Sequence, residues 1–428
     1  MSIRTLLMPV ISQHLLSRQR LLARRAGAER TRQRKKLPHE LHYFHQVDDP
    51  YSALVVQCLQ RLTSQYAVVL TPHVVGSPPD SAAPERDKLI AYSRRDAALL
   101  AGRYSLVFTD PQNQPGADAI AQATRLLVAA VVAGRFVEDA AAVSHRLWST
   151  DTTLNDGALS SPDTAAAHVA KSNALRQRWG HYLGATFYYG GEWYWGIDRL
   201  YHLEQRLRDV GALRDHASNY LFPPSVDLHE PVRTTAPPPI DFFVSLRSPY
   251  SAIVTPRVFE LGRLTGAEVR IRYLLPMVMR GLPVPLEKRQ YIGQDAAREA
   301  YVRGIPFGRV NDPVGRPAER GIALIPLAQR LGFAEAYLRS FMHGVWAEGI
   351  DAGSDRGLRK IAERAGLDWN AVQLALKDEG WRGIAEQNRQ EMFDLGLWGV
   401  PSFRVNDMAV WGQDRLWAVE AEILKGKI

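Results

Sequence analysis

Strand-like and helix-like patterns of hydrophobic positions follow one another in the same order in both halves of the chain. In the first half, residues 41–47 form a β-rich apolar run, and a helical apolar pattern follows from residue 51. Residues 240–244 and those after residue 250 repeat this order. The tetrapeptide Pro-Tyr-Ser-Ala introduces both helices, and a polar residue before the proline is typical of a helix start. Each half is therefore predicted to begin with a strand followed directly by a helix.

The rest of each half is also repeated. A second apolar strand comes next, then a long helical stretch that contains Trp148 in the first half and Trp346 in the second. Each half then ends in a predicted hairpin, with turns at 190–191 and 406–407. The hairpins lead into Trp-Gly-x-Asp-Arg-Leu at 195–200 and again at 411–416. The pattern predicts an α/β fold of two tandem thioredoxin-like domains, each with a helical insertion.

A proline-rich segment separates the two copies. Residues 220–239 contain six prolines, and such a segment is extended and cannot continue a neighbouring helix. We therefore predict a basic amphipathic segment at 1–36, a first domain at 37–219, a linker at 220–239 and a second domain at 240–428. The total of 428 residues agrees with two domains.

Charge is concentrated at the beginning of the chain. Residues 1–36 contain ten Lys and Arg residues against the single Glu29, a net charge of +9, whereas the whole chain carries +8. The rest is close to neutral, so the charge does not indicate a nucleic-acid groove on either domain. Leu7, Val10, Ile11 and Leu15 recur at helical spacing in this segment. The simplest interpretation is a helix docked on its own protein before a disordered basic linker, and contact with a membrane, a nucleic acid or another partner is the alternative.

The only cysteine is Cys58, so no intrachain disulfide and no Cys-x-x-Cys pair can form. It lies in an apolar run that we interpret as a buried helix face, and a reducing, cytoplasmic compartment is the simplest expectation. No apolar run approaches the roughly 20 residues that a membrane span needs, and the first residues fit a secretory signal poorly. His39, His42 and His45 would alternate between strand faces, so we predict no metal site there.

Three separated motifs give the second half a resemblance to a known family. They are Ser248-Pro249-Tyr250-Ser251 after the first strand, Gly399-Val400-Pro401-Ser402-Phe403 before the hairpin, and the block at 411–416. In this order and spacing they resemble the DsbA-like family of 2-hydroxychromene-2-carboxylate isomerases and kappa-class glutathione transferases, over about residues 240–424. The first half resembles a diverged relative of the same family.

The resemblance implies a glutathione site in the second half. Thiol-disulfide members of this fold carry cysteines where this chain has Ser248 and Ser251, so the site is expected to bind a thiol instead of supplying one. Ser248 is the candidate catalytic residue, because its hydroxyl at a helix N-terminus can stabilise a thiolate. Val400 before a cis Pro401 is expected to pair with the cysteinyl backbone of glutathione. The other implied binding residues are Tyr250, Ser251, Gln413, Asp414 and, as a carboxylate donor, Arg280.

Some residues depart from the family pattern. Arg247 replaces an apolar residue and Ser245 replaces an aspartate. In the first half, Asp49 stands at the serine position and Ala185 at the proline position. A carboxylate there would repel a thiolate, so the first half is interpreted as a structural copy that supplies a pseudo-dimer interface.

Two functions remain open at this point. The first is a glutathione-dependent isomerase or transferase that acts on an aromatic or conjugated carbonyl compound. The second is a non-catalytic scaffold whose basic segment recruits a partner. For Ser248 itself, an ordinary helix cap is the simpler alternative to a catalytic role.

Overall fold

The structure is a computed structural model, and it describes residues 3–149, 157–214, 219–232 and 234–425. The chain forms two compact units. The N-terminal unit comprises Leu22–Pro224 and Pro285–Tyr291, and the C-terminal unit comprises Met1–Leu21, Ser225–Val284 and Ile292–Ile428.

The N-terminal unit contains one four-stranded sheet of order β2-β1-β3-β4. Strands β1 and β2 are parallel, whereas β3 is antiparallel to both β1 and β4. Its elements are α2 (Arg18–Arg34, shared with the other unit), β1 (His39–Gln46), α3 (Pro50–Val56), α4 (Leu59–Gln65), β2 (Val68–Val75), α5 (Arg86–Tyr104), α6 (Ala117–Val132), α7 (Phe136–Trp148), α8 (Pro162–Arg178), β3 (Thr186–Tyr189), β4 (Glu192–Trp195) and α9 (Leu200–Asp209).

The C-terminal unit repeats this topology with strand order β6-β5-β7-β8. Again the first pair is parallel and the other two pairs are antiparallel. Its elements are α1 (Ile3–Leu15), β5 (Ile240–Val244), α10 (Pro249–Thr265), β6 (Val269–Tyr273), α11 (Leu286–Val302, whose first turns belong to the other unit), α12 (Arg316–Ala323), α13 (Ile325–Arg330), α14 (Ala334–Trp346), α15 (Asp355–Arg364), α16 (Trp369–Ala375), α17 (Trp381–Asp394), β7 (Ser402–Val405), β8 (Met408–Trp411) and α18 (Leu416–Leu424).

The sheet topology positions the predicted site. All five residues of β5 are buried, and Phe242 stacks on Phe403 of β7 with ring centroids 5.3 Å apart. Because β5 and β7 are antiparallel, with Phe243 opposite Ser402, the end of β5 lies beside the beginning of β7. The residues that start α10 therefore meet the residues that precede β7.

Two local predictions were wrong. Cys58 is buried as predicted, but the apolar run around it is not one continuous helix, because α3 ends at Val56 and α4 begins at Leu59. The basic segment after α1 is not a disordered linker, because α2 continues it as a helix to Arg34. Good helix formers such as Arg, Gln and Ala fill this segment, which explains the helix.

The hairpin turns lie where the pattern predicted them, between β3 and β4 and between β7 and β8. In the described residues, none of the helices combines the length and the apolar character that crossing a membrane requires.

Candidate functional site

Ser248 caps the N-terminus of α10. Its hydroxyl oxygen accepts a hydrogen bond from the Ser251 amide at 3.1 Å, and Pro249 occupies the first helical position. The same hydroxyl donates to the Val400 carbonyl at 3.3 Å, across 152 residues of sequence. The Ser248 side chain is only partly buried. The structure thus brings together Ser248, Ser251 and Val400, three of the residues that the sequence predicted.

The loop before β7 is closely packed. The Val400–Pro401 peptide bond is cis, as the resemblance implied. A Cβ atom on Gly399 would lie 2.8 Å from the Trp411 indole nitrogen, so only glycine fits at this position. Trp398 and Trp411 pack together with ring centroids 5.1 Å apart. Two tryptophans therefore flank the segment that carries Val400.

The repeated Trp-Gly-x-Asp-Arg-Leu block holds this loop in both units. The Gly412 amide donates to the Pro401 carbonyl at 2.8 Å, and the Gly196 amide donates to the Ala185 carbonyl at the same distance. Both glycines have a positive φ, a conformation that favours glycine. Because the contact exists in both copies, the block is explained by the fold and not by chemistry at either site.

Gln413 belongs to a buried network and is 1% exposed. Its side-chain carbonyl accepts from Arg257 at 2.6 Å, and its amide donates to Glu299 at 2.8 Å and to Asp414. Arg257 also forms a bidentate pair with Asp227, at 2.6 and 2.7 Å. Burial disfavours the charged carboxylate, but the Arg257 guanidinium outweighs this and lowers the pKa of Asp227. Gln413 therefore stabilises the segment before α18 from within the protein interior, whereas the neighbouring Asp414 is partly exposed.

A second contact of the first helix was missed in the sequence. The Tyr250 hydroxyl donates to Asp295 at 2.7 Å, and Arg298 donates to the same carboxylate at 2.6 Å. The N-terminal unit has the equivalent bond from Tyr51 to Asp96, at 2.8 Å. Each pair spans 45 residues, so the repeated spacing from Pro-Tyr to a helical aspartate was a signal that could have found it.

The other residues singled out in the sequence have contacts of their own. Ser251 and Ser245 are buried, and neither hydroxyl has a hydrogen-bond partner among the residues that the structure describes. Arg247 forms a bidentate pair with Asp312, at 2.7 and 2.9 Å. Arg280 ends the 3-10 helix Met277–Arg280, and its guanidinium lies 5.8 Å from the centre of the Phe393 ring on α17.

The N-terminal unit has a carboxyl at the position of Ser248. Asp49 caps α3 by accepting hydrogen bonds from the Tyr51 and Ser52 amides, and the Ser52 hydroxyl donates to it at 2.9 Å. Burial raises the pKa of Asp49 to about 7, although these hydrogen bonds favour the charged form. Ala185 takes the position of the cis proline and has φ of 51°.

We expect Asp49→Asn to stabilise the protein in a pH-dependent manner. The pKa of Asp49 in the folded protein, about 7, lies above the ordinary aspartate value of 3.8, so the wild type loses stability as the pH rises between these two values. Asparagine also caps helices but carries no charge. The gain in unfolding temperature should therefore grow between about pH 4 and pH 7 and level off above that, measured by thermal unfolding across this range.

Asp368→Asn at the exposed cap of α16 makes the same substitution in a cap that is not buried, and it serves as the matched control. A gain for Asp49→Asn that is equal at pH 5 and pH 8 would contradict the assignment.

Cys58 is buried between α3 and α4, and burial raises the pKa of its thiol to about 12. It therefore stays protonated at neutral pH and does not act as a nucleophile.

Each of the three histidines of β1 contacts a different side chain. His39 lies 2.6 Å from the Tyr189 hydroxyl, His45 lies 3.1 Å from the Tyr43 hydroxyl, and His42 contacts His73 at 3.1 Å. Within the described ranges, no three or more His, Cys, Asp or Glu side chains are arranged to hold a metal ion.

Residues 239–424 match the protein family described as the DSBA-like thioredoxin domain, so this part of the chain is a DSBA-like thioredoxin domain. Curated relatives of the chain include two enzymes named 2-hydroxychromene-2-carboxylate isomerase. The one from Sphingobium xenophagum is 26% identical over 193 residues, which cover 43% of this chain and 97% of the relative. The one from Pseudomonas putida is 24% identical over 193 residues, which cover 42% of this chain and 92% of the relative. A solved structure of a 2-hydroxychromene-2-carboxylate isomerase is 24% identical, covers 44% of this chain and 94% of its own, and gives a TM-score of 0.38.

Proposed function

We propose that the C-terminal unit is a glutathione-dependent isomerase or transferase that acts on an aromatic or conjugated carbonyl compound. The observation that carries this proposal is the meeting of Ser248, at the start of the 17-residue helix α10, with Val400 beside the cis proline. A hydroxyl and helix amides converge there, and both favour an anion.

The chemistry needs a thiol that the protein does not supply. Cys58 is the only cysteine, it lies in the other unit, and its thiol stays protonated at neutral pH. A thiolate of glutathione would add to a carbon of a conjugated double bond, which becomes single and can rotate. The double bond reforms when the sulfur leaves with its electron pair, so the isomerisation involves no net oxidation or reduction.

The Ser248 hydroxyl would hold the sulfur in its ionised form. In this structure its proton points to the Val400 carbonyl through a bond of 3.3 Å, at the long end of the hydrogen-bond range. A bound thiolate would accept this hydrogen bond from the Ser248 hydroxyl in place of the Val400 carbonyl, while the Ser251 amide continues to donate to the Ser248 oxygen. The Val400 carbonyl is then available for the backbone of the bound glutathione.

The other candidate residues would act around the sulfur. Asp414 would accept from the α-amine of glutathione, held in place by the buried Gln413. Arg280 would pair with a carboxylate. Tyr250 is fixed by Asp295 and would position the first turn of α10, which carries Ser251.

Aromatic side chains near the site suit an aromatic substrate. Trp398 and Trp411 flank the cis-proline loop, and the Trp346 indole donates to the Leu246 carbonyl, two residues before Ser248. Trp346 and Trp398 are buried, so of these three rings Trp411, which is partly exposed, is the one that offers an apolar surface for stacking. The names of the curated relatives point to the same substrate class.

We propose that the N-terminal unit is a diverged copy without this activity. It keeps the sheet topology, the Tyr51–Asp96 bond and the Gly196–Ala185 contact. The carboxylate of Asp49, when ionised, would repel a thiolate at the position that Ser248 occupies in the other unit.

Glutathione titration monitored by tryptophan fluorescence tests the proposal. We expect saturable binding, and conversion of 2-hydroxychromene-2-carboxylate or a related conjugated ketone that requires glutathione. S-Methylglutathione, which cannot form a thiolate, should bind without supporting turnover. Absence of binding at millimolar glutathione would overturn the proposal and favour the non-catalytic scaffold.

A further inference from the structure

Helix α1 is fixed on the C-terminal unit by one face. Pro9 has no amide hydrogen to donate to the Thr5 carbonyl, and the Asn311 side-chain amide donates to that carbonyl at 3.4 Å. The Ser12 hydroxyl accepts from the Val310 amide at 2.8 Å. Pro9 is buried, and a Cβ atom on Gly349 would lie 2.6 Å from it. The docked face therefore contains Thr5, Pro9 and Ser12.

Outside this docked face, α1 is largely apolar but exposed. Six large apolar side chains lie there, each between 38% and 57% exposed, with the exposed His14 among them: Leu6, Leu7, Met8, Val10, Ile11 and Leu15. Contiguous exposed apolar side chains on one helix mark a surface that another apolar phase covers.

The positive charge of the residues after α1 indicates which kind of partner covers its exposed apolar side chains. Two residues after α1 the basic helix α2 begins, and none of its residues is buried. Its exposed cations include Arg24, Arg30 and Arg34, and Lys35 and Lys36 follow it. Glu29, the only acid of the segment, is already paired with Arg32 at 2.7 Å. A second copy would bring the same positive charge, and the phosphates of a nucleic acid offer nothing to six apolar side chains.

We propose that α1 docks the protein peripherally on anionic lipid membranes, assisted by the basic residues that follow it directly in the chain. The apolar face of α1 would enter the boundary between the headgroups and the acyl chains, and the cations after it would attract the negative lipid surface. This combination is typical of helices that lie in a membrane interface. The proposal is independent of the glutathione site, because it uses none of its residues.

Sedimentation of the full chain with lipid vesicles tests this proposal. We expect binding to phosphatidylcholine vesicles that contain phosphatidylserine, weak binding to phosphatidylcholine alone, and a loss of binding as the salt concentration rises. The double variant Leu7→Gln/Ile11→Gln should weaken the partition coefficient by about tenfold or more, because two apolar side chains no longer leave water. Arg30→Gln/Arg34→Gln should weaken binding only to the vesicles with phosphatidylserine.

A matched control uses exposed apolar residues elsewhere. Val132 and Leu374 are 75% and 68% exposed, so Val132→Gln/Leu374→Gln removes similar side chains and should leave vesicle binding unchanged. Three results would overturn the proposal. They are equal binding of the Leu7→Gln/Ile11→Gln variant and the wild type, no binding of the wild type to either vesicle, or a dimer in light scattering that this variant dissociates.

Discussion

Ser248→Ala should raise the thiol pKa of bound glutathione and lower glutathione-dependent turnover by about a hundredfold, as loss of a single donor to a developing anion does in other enzymes. The hydroxyl is the side-chain donor that the proposal assigns to the sulfur, and alanine leaves only the helix amides. Ultraviolet absorbance of the thiolate during a pH titration of the complex measures the pKa directly. Ser248→Thr keeps the hydroxyl and should retain part of the effect.

Ser354 provides a control with the same local chemistry in the same unit. It caps α15, accepts from the Gly357 amide at 3.1 Å and donates to the Asp351 carbonyl at 2.8 Å. Both alanine variants should lose about 1 kcal/mol of stability as caps. Only Ser248→Ala should change the thiol pKa of bound glutathione. If that pKa were unchanged in Ser248→Ala, Ser248 would be a helix cap without a role at the sulfur.

Glu299→Ala should be among the most destabilising single substitutions in the C-terminal unit. Glu299 is 0% exposed, and its carboxylate accepts from Gln413 at 2.8 Å and from Arg303 at 3.3 Å. Its removal takes one of two acceptors from the buried Gln413 amide and the carboxylate partner from the largely buried Arg303 guanidinium, and breaking such a pair costs about 3–5 kcal/mol. Chemical denaturation of the full chain measures the loss, and the affinity for glutathione should fall as well because Gln413, which contacts Asp414, is less firmly fixed.

Glu363→Ala is the matched surface variant. Glu363 is exposed and pairs with Arg359 one helical turn away, a contact worth about 0.5 kcal/mol or less. Glu299→Gln, which keeps an acceptor oxygen for Gln413, should lie between the two. If Glu299→Ala were as stable as Glu363→Ala, the buried network around Gln413 would not stabilise the C-terminal unit as inferred.

Local patterns predicted much of the fold. Short apolar, β-rich runs located the first two strands of each half, and the turns at 190–191 and 406–407 follow from residues that favour tight hairpins. Pro249 after a serine correctly located the start of α10. The cis bond before Pro401 followed from the resemblance, since nothing in an isolated Val-Pro pair favours cis.

Long-range contacts were not accessible in the same way. The Arg257–Asp227 pair joins α10 to the proline-rich segment, and charged residues in a linker usually indicate solvent. Gln413 looked like a ligand group because it starts a helix, but its burial depends on Arg257 and Glu299, which are more than a hundred residues away. Only the Tyr250–Asp295 bond left a trace in the sequence, through its repetition as Tyr51–Asp96.

The burial of Cys58 has a practical consequence for solution experiments. Because this is the only cysteine of the chain and its thiol is shielded, a cysteine introduced at an exposed position is expected to react first with maleimides at neutral pH. A fluorophore or spin label can then be placed on α1, or beside the cis-proline loop, without removal of a native thiol. Site-specific spectroscopy of the wild-type sequence therefore requires one added cysteine and no other substitution.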